Sequence, residues 1–135
     1  MESVIKNAIN EEDKKTDAED FEDLNDARIL VAGVGGAGNN MVTRMHKKGV
    51  EGAETIALNT DKQHLQMSEA DRKILIGQDL TKGLGAGGHP KTGAKAAEEN
   101  RTDLRKIFKD ADMVFLTAGL GGGTGTGAVP VLAEI

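Results

Sequence analysis

Four short segments dominated by apolar residues, Arg28–Ala32, Glu54–Leu58, Arg72–Ile76 and Asp112–Thr117, recur along this chain with helical patterns between them. A strand that faces water on one side alternates apolar and polar residues, whereas one covered on both faces reads as a nearly unbroken apolar run. With helices in the intervals, the pattern predicts an α/β fold: a Rossmann-like parallel sheet with helices on both faces. Right-handed crossovers give the strand order 3-2-1-4. That order sets strands 1 and 4 side by side at a switch point, where open α/β sheets bind ligands at the carboxyl ends of their strands.

The intervals carry their own punctuation. Met41, Val42, Met45 and His46 follow a helical period that Gly49 closes as a C′ residue. Lys62 to Met67 fits a short helix, and a polar loop runs from Gln78 to Pro90. Pro90 suits the first turn of a helix reaching about Phe108, with Ala94, Ala97, Arg101, Leu104 and Phe108 on one face. A last helix opens near Thr124 and turns Val129, Leu132 and Ile135 inward. It stops at Ile135 with no fifth strand, so residues 28–135 are expected to be part of a longer domain, truncated after the fourth strand. Residues 1–27, acidic from Glu11 to Asp26, read as a flexible solvated arm, with Val4, Ile5 and Ile9 as its few docking candidates.

Glycine marks where function is expected. The chain holds 18 glycines, gathered at 33–38, 83–88 and 119–127, against a usual share of about 7%. Glycine-rich loops let main-chain N–H groups approach a ligand closely, most often a phosphate. Gly33-x-Gly35-x-x-Gly38 lies between a strand and a helix that Asn39 or Asn40 can cap. With Asp61 near the end of strand 2, it fits the dinucleotide fingerprint, and an NAD-binding dehydrogenase fragment is one reading. That fold needs one phosphate loop, yet a second and denser one occupies 121–127 on the neighbouring strand. Two opposed loops predict a phosphate chain gripped from both sides, with the Thr124 and Thr126 hydroxyls as further donors. Each hydrogen bond to a charged group contributes roughly 1.5–3 kcal/mol, so a few hold a triphosphate without lysine.

Other classes fall away. A net charge of −5 and only Phe21, Phe108 and Phe115 as aromatics argue against nucleic acid as a partner. No run is long and apolar enough for membrane insertion, Met1 to Asn10 lacks a signal-peptide core, and the absence of cysteine fits a reducing compartment. The chain reads as cytoplasmic.

Gly-Gly-Gly-Thr-Gly-Thr-Gly at 121–127 resembles the signature of the tubulin/FtsZ family, and Thr126 is closer to FtsZ than to eukaryotic tubulin. Residues 33–40, Asn59-Thr60-Asp61 and 83–88 resemble the family's first three nucleotide loops in order and spacing, and the likeness is greatest to archaeal cell-division FtsZ. The resemblance implies a GTPase that uses GTP/GDP and Mg²⁺. It implies that Gly36, Ala37, Gly38, Asn39 and Asn40 contact the α and β phosphates, and that Ala86, Gly87 and Gly88 reach the γ phosphate. Gly123, Thr124 and Gly125 would close over them, with Gly35, Gly121, Gly122, Thr126 and Gly127 completing the nucleotide-binding set. Asn59 and Asp61 would lie near the metal ion. His89 replaces the family's usual asparagine before Pro90; His46 and His64 read as surface residues, and three scattered histidines make no metal spacing.

The resemblance further implies head-to-tail filaments at the cytoplasmic division site, held there by membrane-tethering division proteins. The water-positioning acids and the guanine-reading residues would lie beyond Ile135, leaving no catalytic residue in this chain and an inactive isolated fragment. A non-catalytic filament-capping or shape protein of the same family is the other alternative.

Overall fold

The first apolar run is paired along both edges. In the computed structural model, which describes residues 27–135, β1 (Ile29–Val34) runs parallel to β2 (Ala53–Asn59) on one side and to β4 (Met113–Ala118) on the other. β3 (Arg72–Leu75) joins the far edge of β2, so the order is β3-β2-β1-β4, as right-handed crossovers predict. The acidic arm expected over residues 1–27 lies outside the described residues, apart from Ala27.

Alternate residues of β1 serve opposite faces of the sheet. Leu30, Ala32 and Val34 join the buried core with Ala97 of α4 (Pro90–Glu99), Leu104 and Phe108 of α5 (Arg101–Phe108), and Ala128, Val131 and Leu132 of α6 (Thr124–Ala133). On the other face Gly33 lies against Val42 of α1 (Gly35–Lys48), where any Cβ would overlap the Val42 side chain and the Gly38 carbonyl. α2 (Lys62–Met67) buries Leu65, and α3 (Gln78–Thr81) adds one turn before the loop that leads to α4.

Several boundaries differ from the sequence reading, for local reasons. β1 extends through Gly33 and Val34, because its parallel register with β2 and β4 continues to Leu58 and Ala118. The helix expected from Pro90 to Phe108 breaks at Asn100, whose side-chain oxygen accepts the Gly77 amide at 2.8 Å and pins the turn after β3. Arg101, expected on the inward face, instead reaches Glu98 at 2.8 Å and Glu134 at 3.6 Å. The polar stretch after Gly77 includes α3, since Gly77 takes φ 64° and redirects the chain.

At the amino-terminal half of β2, Thr55 ties three elements together. Its amide donates to Asp71 Oδ2 at 2.8 Å, its hydroxyl to the same oxygen at 3.1 Å, and the Asp71 amide returns a bond to Thr55 Oγ1 at 3.0 Å. His46, in the last turn of α1, lies 3.2 Å from the same hydroxyl. The Thr55 amide, aided by its hydroxyl and by His46 and opposed by desolvation, holds the Asp71 carboxyl below its ordinary pKa.

Candidate functional site

β1 and β4 end side by side, and each feeds the start of a helix. The first-turn N–H groups of a helix lack intrahelical acceptors and carry the positive end of its dipole. Neither α1 nor α6 has a capping side chain or an acid in its first turn, so neither start is neutralised from within. Asn39 and Asn40, expected as caps, lie inside α1, because the helix already begins at Gly35 with Val34 in the capping position. Both helix starts open onto one cleft of about 450 Å³.

Its walls come from four places. α1 contributes Gly35, Gly36 and Ala37, while the β4–α6 loop and the start of α6 contribute Gly122, Gly123, Thr124 and Gly125. The end of β2 supplies Asn59, Thr60 and Asp61, and the loop before α4 supplies Ala86 and Gly87. His64 of α2 completes the rim, with Leu84 and Leu120 beside it. Among the described residues, Asp61 is the sole carboxylate of this lining, no lysine or arginine enters it, and His64 is its one side chain able to become cationic.

Behind the cleft a buried polar network fixes the loops to one another. Asn39, fully buried, donates to the carbonyls of Gly33 and Leu58, each at 2.9 Å, and accepts from Asn59 Nδ2 at 3.0 Å. Asn59 Oδ1 in turn accepts the amides of Thr60 at 2.8 Å and Asp61 at 3.1 Å. These bonds clamp the end of β1 to the end of β2. The Thr60 and Thr124 hydroxyls meet at 2.7 Å and join β2 to α6. The Thr60 carbonyl accepts the Gly85 amide at 3.2 Å, bringing in the third glycine loop. At Gly123 a Cβ would lie 2.8 Å from the His89 nitrogen, so only glycine lets the β4–α6 loop seat against residues 86–89. Each polar group of the network is satisfied, and no buried side-chain nitrogen or oxygen among the described residues lacks a partner.

The expected residues therefore separate into two groups. Gly35, Gly36, Ala37, Asn59, Asp61, Ala86, Gly87 and Gly122 to Gly125 line the cleft. Gly38, Asn39, Asn40, Gly88, Gly121, Thr126 and Gly127 do not. A Cβ on Gly38 would meet the Thr117 carbonyl, and one on Gly127 would overlap the Pro90 carbonyl, so these glycines serve packing of α1 on β4 and of α6 on α4. Thr126 turns its hydroxyl to the Gly121 amide at 3.0 Å and holds the loop's shape. Thr124 does line the cleft, with its hydroxyl already engaged by Thr60.

Thr60, given no role of its own within its loop, and His64, read as a surface residue, both line the cleft. Asp61 accepts the His64 amide at 3.0 Å as the N-cap of α2, and this cap turns His64 toward the cleft. An Asp followed three residues later by His in a short helix carried that signal in the sequence. Asn59 does not suit a metal, since its one side-chain oxygen is occupied by two amides. Asp61 fits better: Mg²⁺ held chiefly by phosphate oxygens and water needs only one or two carboxylates. Among the described residues no group of three or more His, Cys, Asp or Glu side chains is placed to bind a metal without such a ligand.

A family model described as the tubulin/FtsZ family, GTPase domain, matches residues 28–135. Cell division protein FtsZ 2 of Haloferax volcanii is 51% identical over 140 residues, covering 100% of this chain and 35% of that protein. A solved structure of an empty FtsZ dimer from M. jannaschii superposes with a TM-score of 0.81 at 52% identity, covering 90% of this chain and 35% of the other. CetZ2 of Haloferax volcanii, solved as a GTPγS-bound protofilament, gives 0.69 at 33% identity, with 79% and 35% covered. The chain thus spans about a third of the length of the relatives it matches.

Proposed function

This chain belongs to the tubulin/FtsZ family, and from that premise we propose that it forms the phosphate-gripping part of a cell-division GTPase. The reading rests chiefly on one observation: two helix starts without side-chain caps converge on a cleft that, among the described residues, holds no lysine or arginine. Such a cleft binds an anion through main-chain N–H groups, and two opposed starts suit a chain of phosphates better than a single one. Family membership removes the dehydrogenase alternative. The relative that is 51% identical over the whole chain and named a cell division protein favours a division role over the shape-protein alternative.

GTP is the proposed ligand, with GDP as product. Gly35, Gly36 and Ala37 present amides from α1, and Gly123, Thr124 and Gly125 present them from α6. Ala86 and Gly87 stand on the loop that would meet the terminal phosphate. Bound Mg²⁺ would neutralise developing charge on the phosphates, and Asp61 is the residue to hold it. Cleavage also needs a group that positions water, and among the described residues no carboxylate besides Asp61 faces the cleft. The acids would come from the next subunit of a head-to-tail filament, so hydrolysis would require assembly. No helix among the described residues is long and apolar enough to cross a membrane. A cytoplasmic filament at the division site would then depend on separate tethering proteins.

The test is calorimetric titration of the full-length protein with GTP, GDP, ATP and NAD, alongside light scattering and phosphate release. Binding of guanine nucleotides with Mg²⁺-dependent scattering is expected. Tighter binding of NAD, or phosphate release independent of protein concentration, would overturn the proposal.

A further inference from the structure

The Thr60 and Thr124 hydroxyls, 2.7 Å apart, share one hydrogen bond that can run in either direction. A hydroxyl carries one hydrogen and two lone pairs, so whichever residue donates has spent its hydrogen. Burial decides between the two directions. Thr60 forms part of the cleft wall and is nonetheless fully buried, so water does not reach its side chain. Among the described residues, Thr124 Oγ1 is the only acceptor bonded to its hydroxyl. Were Thr124 the donor, the Thr60 hydrogen would be buried without a partner, which native structures rarely tolerate. With Thr60 as donor every group is served. Thr124, partly exposed in the cleft lining, then keeps its own hydrogen for whatever the cleft holds.

The surroundings of Thr60 fix this geometry. Its amide donates to Asn59 Oδ1 at 2.8 Å, and its carbonyl accepts the Gly85 amide at 3.2 Å. Its methyl lies 3.7 Å from the position a Cβ on Gly77 would take. With the main chain bonded at both groups and the methyl packed, the hydroxyl is left directed at Thr124. Thr124 Cβ in turn lies 3.5 Å from where a Cβ on Gly35 would stand, so its hydroxyl sits where the starts of α1 and α6 converge.

We infer that Thr60 is a positioning residue: by donating to Thr124, it makes the Thr124 hydroxyl an obligate donor toward the phosphate oxygens of a bound nucleoside diphosphate. Resting on the nucleotide reading, this assignment adds to it a residue that touches no ligand and acts through one that does. Two hydrogen bonds in series polarise one another, so the second is strengthened by the first. The experiment titrates the full-length protein with GDP by calorimetry, for wild type, Thr60→Val, Thr60→Ser, Thr124→Val and the double valine variant. Valine keeps the branched shape of threonine and removes the hydroxyl. Thr60→Val should weaken GDP about three- to tenfold, and Thr60→Ser, which restores the donor without the methyl, should stay within about twofold of wild type. On the Thr124→Val background, Thr60→Val should change affinity by less than about twofold, because the group it orients is gone. A purely structural role would instead weaken binding equally on both backgrounds. Neutron diffraction from deuterated crystals of the wild-type protein with GDP needs no variant to fold. It should place the shared deuterium on Thr60 Oγ1 and the Thr124 deuterium toward a phosphate oxygen. Equal losses on both backgrounds, no loss in Thr60→Val, or a Thr124 deuterium pointing at Thr60 overturns the inference while leaving nucleotide binding intact. If wild type does not bind GDP, the nucleotide reading itself fails and takes the inference with it.

Discussion

β1 and β4 lie side by side in matched register, both rich in apolar residues and both ending in a glycine loop that opens a helix. Their surroundings differ. Leu30, Ala32 and Val34 of β1 are fully buried, whereas Met113 and Phe115 of β4 are each 53% exposed. β1 is paired on both edges and covered on both faces. β4 is paired on one edge, with an apolar groove of about 480 Å³ beside Met41, Met45 and Phe115 and another of about 320 Å³ beside Phe108, Val114 and Leu132. Apolar sequence reports that a strand needs cover and does not report whether the described residues supply it. At their carboxyl ends the two strands are equally well built, because the Asn39 and Thr60 networks hold the loops regardless of what happens along β4.

The contrast can be broken most directly in the core. Leu30→Ala should cost about 3 kcal/mol, within the usual range for emptying a sealed site, while Phe115→Ala should stay within about 0.5 kcal/mol. Urea unfolding of the same chain measures both, and equal losses would show that β4 is covered after all. Next in size, Gly127→Ala drives a methyl into the Pro90 carbonyl and should cost about 1–3 kcal/mol through separation of α4 from α6. A thermal melt unchanged within error would contradict the close crossing of those helices.

Asn39→Leu removes the clamp between β1 and β2 and strands the Gly33 and Leu58 carbonyls. It should cost about 1–3 kcal/mol, against less than about 1 kcal/mol for Thr126→Val, whose single bond to Gly121 is exposed. Denaturant midpoints of similar size for the two would place the clamp elsewhere. The smallest effect is expected far from the cleft, at Asp71. Its folded pKa is depressed, so its contribution is present above its ordinary value of 3.8 and is lost as pH falls through the folded value. Asp71→Asn should flatten acid unfolding below about pH 4 and leave neutral-pH ligand binding untouched; an unaltered acid limb would discount the Thr55 contacts.

Much of this molecule was legible before its coordinates. The strand order follows from four apolar runs and the handedness of crossovers, and Pro90 and Gly49 marked a helix start and a helix end correctly. The break at Asn100 was hidden, because a helical period continues across it and only the Gly77 amide in the third dimension reveals the reason. The glycine loops point to the cleft where phosphate is proposed to bind. Their sequence could not divide the glycines that face the cleft from Gly38 and Gly127, which face another backbone instead.

By itself, then, the sequence determined the layers, the strand order and the end of the sheet where the cleft opens, since periodicity and chain punctuation are local quantities. Tertiary structure alone decided that Asn39 and Asn59 are tie-bars, that the Thr124 hydroxyl is held by Thr60, and that His64 overlooks Gly36. Those assignments depend on distances between residues separated by up to 64 positions, and no spacing along the chain encodes which of several polar side chains will be nearest once the strands align.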